Sequence, residues 1–244
     1  MKRKKLAQEN LLKLKENPYP GRGIIVGMDE TGKYLVQVYW IMGRSENSRN
    51  RIFVLDDDNA IGTLKTAAAD PAKVKDPSLI IYTAMAETLT RYAVSNGHQT
   101  TSALAKKGLQ AAMESWQYEP DDPNFTPRIT ALVQPRAWNK QTAEISILKK
   151  SQFSNLCQRN LYVVPVSTPG LGYCITTYSG DGDPLPSFEG DPYLLPLPGD
   201  IYGVAQTIWD FLNEENRVSL AVKFINIETR ETFIEIVNKY NAVD

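Results

Sequence analysis

Runs rich in β-branched and aromatic residues recur along this chain at intervals set by turn chemistry, and that spacing most limits the fold. GRGIIVG and YLVQVYWIMG flank MDETGK, a hairpin signature in which Gly32 is placed to take a positive φ. RIFVLDD supplies a third strand, closed by the acidic run Asp56–Asp58. SLIIYTAMAETLTRYAVSNG has the length and alanine content of a helix. Ile80, Ile81, Tyr82 and the later Tyr92–Val94 favour two strands instead. Strands resume at RITALVQP, AEISILKK, NLYVVPVS and YCITTY, and SLAVKFINI with TFIEIVNKY ends the chain.

Helical periodicity is confined to a few places. HQTTSALAKKGLQAAMESWQYEP carries Leu104, Leu109, Ala112, Met113 and Trp116 near a helical period and predicts one helix stopped by Pro120. IYGVAQTIWDFLNEEN repeats the pattern. Residues 1–18 form a basic leader with Leu6, Leu11, Leu12 and Leu14 at helix-compatible spacing, ended by Pro18 and Pro20. Those leucines need burial, which makes the leader a candidate surface for homo-oligomerisation. The proline-rich stretch 179–200 is too long for a simple connection and reads as a functional loop or covering flap. Strand runs with two substantial helices imply α+β rather than a doubly wound parallel sheet. With 42% apolar residues and no linker composition, residues 19–244 read as one domain behind the helical extension 1–18.

A net charge of −1 disfavours a general nucleic-acid or anionic-membrane binder. No apolar run is long enough to span a bilayer, and the leader lacks the apolar segment of a secretory signal. Two cysteines, Cys157 and Cys174, are too few for a disulfide framework, which places the chain in a reducing compartment, the cytoplasm. GMDETGKY nearly matches a phosphate-binding loop, but Tyr34 replaces the hydroxyl residue and a strand pattern follows where a helix is required. DGDPLP begins like a calcium loop and then places prolines where a ligand and a glycine belong. One histidine, His98, excludes histidine-rich metal sites, and nothing in the spacing asks for a metal.

The sharpest local feature is IMGRSENSRNRIF, which puts Arg44, Arg49 and Arg51 between two apolar runs. Guanidinium forks match phosphate oxygens in bidentate geometry, so the cluster is either an anion site or a solvated loop. Arg22, at the start of the first strand, is placed to join it. Tyr82 is either a proton donor or a core phenol. Asn96 and His98 lie between a strand end and a helix start, and Glu119 follows that helix as a candidate acid/base.

In order along the chain, YPGRGIIVG, YWIMGRSENSRNR, DPSLIIY, AVSNGHQT, YEPDDPNFTPRI and ITTY resemble the archaeal-type IMP cyclohydrolase family over roughly residues 19–180. The most specific piece is matched by Tyr118, Glu119, Asp121, Asn124, Thr126, Pro127, Arg128 and Ile129. The resemblance implies a four-layer αββα sandwich like that of N-terminal-nucleophile hydrolases. It implies no terminal nucleophile, because Pro20 and Gly21 stand where one would begin the first strand.

Family residues carry over to Arg49, Tyr82 and Glu119 as the catalytic set. The arginine has two matches: the Arg44–Ser45 pair selects Arg49, and an Asn-Arg pair selects Arg51. Arg22, Arg44, Arg51, Asn96, His98 and Arg128 are the expected substrate-binding residues. The implied reaction closes a formamido-imidazole-carboxamide ribotide to IMP, with no cofactor. Tyr82 would be the donor and Glu119 the base, from ordinary pKa values of about 10 and about 4.3. The alternatives are an amidohydrolase or cyclohydrolase acting on another nucleotide, and a non-catalytic purine-nucleotide-binding protein.

Overall fold

The computed structural model describes residues 2–56, 62–74, 77–136 and 141–242. Two antiparallel sheets stack face to face. The first contains β1 (Gly23–Met28), β2 (Tyr34–Met42), β10 (Leu171–Thr176), β11 (Tyr193–Pro196), β12 (Arg217–Asn226) and β13 (Thr232–Asn238), in the order β11-β10-β1-β2-β12-β13. The second runs in sequence order: β3 (Ile52–Leu55), β4 (Leu64–Ala67), β5 (Thr83–Glu87), β6 (Tyr92–Ser95), β7 (Arg128–Val133), β8 (Thr142–Lys150) and β9 (Cys157–Pro165). The chain changes sheet after β2 and returns after β9.

Period-two alternation explains the layering. In β2, Leu35, Tyr39 and Ile41 enter the core between the sheets, while Val36, Val38, Trp40 and Met42 face the outer helices. Both faces are buried, so the strand reads as a continuous apolar run. Helices α1 (Lys2–Glu16) and α5 (Ile201–Phe211) cover the outside of the first sheet. Helices α3 (Gln99–Ala105) and α4 (Leu109–Ala112) cover the second, giving the α+β, αββα layering expected. A one-turn helix, α2 (Glu46–Arg49), sits in the first crossover. No helix among the described residues is long and apolar enough to cross a membrane.

Several expectations are corrected. The single helix predicted before Pro120 is two short ones, because Gly108 takes φ 89° and Lys106 is extended. The Glu144 carboxylate accepts from the Leu109 N–H, restarting the helix after the break. Strand β4 lies in a stretch with no expected element, and the proline-rich loop contains β11 and is bridged through Ser187 to Tyr178. In the leader, Leu11 and Leu14 are buried against this same chain with Ala7, whereas Leu6 and Leu12 are exposed. Ile80 and Tyr82 precede β5 rather than belonging to it. Asp57 and Asp58 lie outside the described residues.

Two glycines fix the start of β1 and therefore Arg22 between them. Gly21 has φ 71°, and a Cβ there would lie 2.2 Å from Thr177 Oγ1. A Cβ on Gly23 would meet the Trp40 ring at 1.9 Å. Trp40 Nε1 donates to the Gly21 carbonyl at 3.0 Å, so the indole clamps this backbone from one side.

Candidate active site

The first crossover leaves β2 at the end of the sandwich where β1 and β7 begin and β6 ends. Arg22 and Glu119 meet there as a buried bidentate pair, Nη1–Oε1 2.9 Å and Nη2–Oε2 2.7 Å. Arg128 lies 3.8 Å from the same carboxylate, packs over the Trp116 ring and donates to Gln99 Oε1. Burial acts to lower the Arg22 guanidinium, but Glu119, then Tyr82 and Tyr39, hold it well above its ordinary value. Arg128 is lowered, chiefly by burial that Glu119 only partly offsets.

Asn96 is a backbone clip at this end rather than a cavity wall. Its Nδ2 donates to the Pro127 carbonyl at 2.9 Å, and its Oδ1 accepts the Ile129 N–H at 2.8 Å. Its own carbonyl accepts from Arg22 Nη1 at 3.3 Å. His98 is exposed, with Nε2 3.1 Å from the Ser78 carbonyl, and its ring stands edge-on to Tyr82. Tyr82 is buried and its hydroxyl lies 2.6 Å from that of Tyr39. Burial, then Tyr82, raises the Tyr39 phenol well above its ordinary value, against the pull of Arg22 and Arg51. Tyr39 was hidden in the sequence as one more aromatic residue of a buried strand.

The three loop arginines separate. A capping box between Ser45 and Ser48 sets α2, and the residues around it then point in different directions. Arg49 turns away from this end of the cavity and bonds the Gly43 carbonyl at 2.9 Å, Asn216 Oδ1 at 3.3 Å and Glu215 at 3.4 Å. Arg44 is half-exposed, pairs with Asp181 of the proline-rich loop and lies over the Tyr19 ring. Arg51 is 4% exposed, and among the described residues its guanidinium donates only to the backbone carbonyls of Ser48 (2.8 Å) and Met42 (3.1 Å). Among the described residues it has no carboxylate partner.

These groups surround a cavity of about 370 Å³, walled by Arg22, Arg44, Arg51 and Glu119, with Leu185 from the proline-rich loop. Tyr82, Asn96, His98, Arg128 and Arg49 are not among its walls. Asn47, also a wall residue, has a buried Oδ1 with no partner among the described residues. Asp121, Thr126 and Tyr178 also line the cavity; they are outside the expected site set although they stand in YEPDDPNFTPRI and ITTY. Thr126 donates from N and Oγ1 to the two Asp121 carboxylate oxygens, and its Oγ1 lies 2.5 Å from the Tyr178 hydroxyl.

These elements make an α+β sandwich of two antiparallel sheets with an arginine-walled polar cavity at one end. The chain belongs to the IMP cyclohydrolase-like protein family, whose model matches residues 19–230. Helix α1 precedes the matched region. No curated protein matches the chain.

Proposed function

We propose that this chain is a cyclohydrolase that closes 5-formamidoimidazole-4-carboxamide ribotide to IMP with loss of water, the last ring closure of purine synthesis. Family membership supports the reaction class. The observation that carries the reading is Arg51, a buried guanidinium in the cavity wall whose charge no described side chain balances. Burying an unpaired charge costs several kcal/mol, so a site that keeps one is arranged for an anion that arrives later. A ribotide phosphate is such an anion, and the fork geometry of arginine suits it. In this reading Arg51 takes the role that one sequence match gave to Arg49.

Both reacting groups belong to one substrate molecule, so holding the carboxamide nitrogen against the formyl carbon supplies much of the acceleration. As the C–N bond forms, the formyl oxygen gains charge, and Arg22 is the donor aimed to stabilise it. Both Glu119 oxygens already accept from Arg22, so Glu119 acts by fixing that guanidinium. Tyr82 is not a cavity wall and acts through its contact with Tyr39 and its field on Arg22. The carbinolamine then loses its hydroxyl as water, with the formamido N–H giving up the second proton.

The test is the absorbance change on adding the formylated ribotide to purified protein, with and without a chelator. Turnover is expected in both. IMP binding without turnover would favour a non-catalytic nucleotide binder, and turnover of a different ribotide would reassign the substrate. Arg51→Met is expected to raise KM by at least about tenfold, which is about 1.4 kcal/mol of lost binding. Inorganic phosphate should raise the Tm of the wild type and not that of the variant. Equal phosphate responses would remove Arg51 from the anion site.

A further inference from the structure

Asp121, Thr126 and Tyr178 fix the direction of their hydrogen bonds. A carboxylate only accepts, so the single Thr126 hydroxyl hydrogen goes to Asp121 Oδ2. The Thr126 oxygen, 2.5 Å from the Tyr178 hydroxyl, must then accept the phenol hydrogen. Tyr178 therefore gives its own proton inward and keeps lone pairs unclaimed by any described residue, on a side chain that lines the cavity. Burial pushes the Tyr178 phenol up, against the pull of Arg22, so the chain rests with that proton in place.

The position of the three residues is held independently of the Thr126 and Tyr178 hydroxyls. The Asp121 carboxylate also accepts the Thr126 N–H at 2.7 Å, and the Glu119 N–H donates to the Thr126 carbonyl at 2.9 Å. The Tyr178 N–H bonds the Pro20 carbonyl at 3.1 Å, and its ring stacks on Tyr19 with centroids 6.0 Å apart. Glu119, Asp121 and Thr126 thus come from one short loop, which meets Arg22 at the start of β1 and Tyr178 beyond β10.

Resting on the cyclohydrolase reading, we propose that Tyr178 is a catalytic residue: its oxygen accepts the carboxamide N–H, and Thr126 and Asp121 position it as a proton relay. As the amide nitrogen bonds to the formyl carbon, its proton moves to Tyr178 Oη. The phenol proton moves to Thr126 Oγ1 and the Thr126 proton to Asp121 Oδ2. Run in reverse, the same chain returns one proton to the former formyl oxygen, so enzyme and proton count are restored before water leaves. No oxidant, metal or co-reactant enters the balance.

The experiment combines rates, solvent-isotope dependence and product binding for Thr126→Val, Thr126→Ser and Tyr178→Phe. Thr126→Val removes the middle hydroxyl and keeps the backbone contacts. It should cut kcat at least about tenfold with KM little changed, within the usual range for general acid–base help. Thr126→Ser should restore the rate, and the Thr126→Val/Tyr178→Phe double variant should be no slower than the worse single one. Rate against deuterium fraction should be curved for the wild type, reporting several protons in flight, and linear for Thr126→Val. Wild-type kcat and curvature in Thr126→Val would overturn the relay.

IMP binding is read by calorimetry and does not need turnover. The product keeps an N–H at the new ring nitrogen, so Tyr178→Phe should weaken IMP several-fold, and unchanged affinity overturns the assignment of that oxygen. A wild type that binds IMP but does not cyclise the ribotide would sink the cyclohydrolase reading alone. The Tyr178→Phe binding result would then still decide the acceptor.

Discussion

Glu119→Gln is expected to lower stability by about 3–5 kcal/mol, the cost of removing one partner of a buried ion pair. The amide keeps the size of the carboxylate but offers Arg22 one acceptor and one donor where there were two acceptors. Arg22 Nη2, now 2.7 Å from Oε2, would face an N–H. Arg128, 3.8 Å away and already lowered by burial, would lose the same counter-charge. Guanidinium-chloride midpoints for wild type, Glu119→Gln and Arg128→Met check this. Arg128→Met should be the milder variant, because its pair is longer and Gln99 is the only hydrogen-bond partner of its guanidinium among the described residues. Activity should fall further than stability accounts for, by about 10²–10³ in kcat, the range for losing one preorganised donor at a developing oxyanion. A Glu119→Gln protein within 1 kcal/mol of wild type would show that the two arginines do not depend on this carboxylate.

The strands of the sandwich were legible because their chemistry is local. Alternation in YLVQVYWIMG and the Gly32 turn are properties of neighbouring residues, and both appear in the fold as read. The sheet each strand joins was not legible. Nothing in IMGRSENSRNRIF says that the chain leaves one sheet and enters the other there, and that crossover forms the cavity. The same limit separates Arg49 from Arg51. They are two residues apart, one ending α2 and the other past its cap, and a short turn sends one toward Glu215 and Asn216 and the other inward. Composition offers no signal for that choice. Gly108 could have warned of the helix break, since glycine after two lysines is poor helix interior. Tyr178 and Thr126 were visible as motif residues, but their role needs the long-range contact between two loops 52 positions apart.

Lys223→Met is expected to destabilise the protein by about 3–5 kcal/mol, and the double variant Lys223→Met/Glu87→Leu to recover most of that loss. Lys223 stands in SLAVKFINI at an inward-facing position of β12 and is fully buried between the sheets. It is paired to Glu87 of β5 and donates to the Gly62 carbonyl at 2.8 Å, with the Tyr92 ring 5.6 Å from its nitrogen. Burial lowers the ammonium below its ordinary value even though Glu87 pulls the other way, so desolvation outweighs the attraction. Such a pair adds little net stability over an apolar substitute, yet leaving Glu87 alone in that site is costly. Its value is positional: it is a polar tie between a strand of each sheet, and a sheet face slipped by one residue would carry the lysine to the wrong side. Urea midpoints for the two single variants and the double variant give the coupling energy directly. Additive losses would mean that Lys223 and Glu87 act independently. A recovered double variant with normal phosphate and IMP binding would place this tie in the scaffold alone, separate from the arginine-walled cavity.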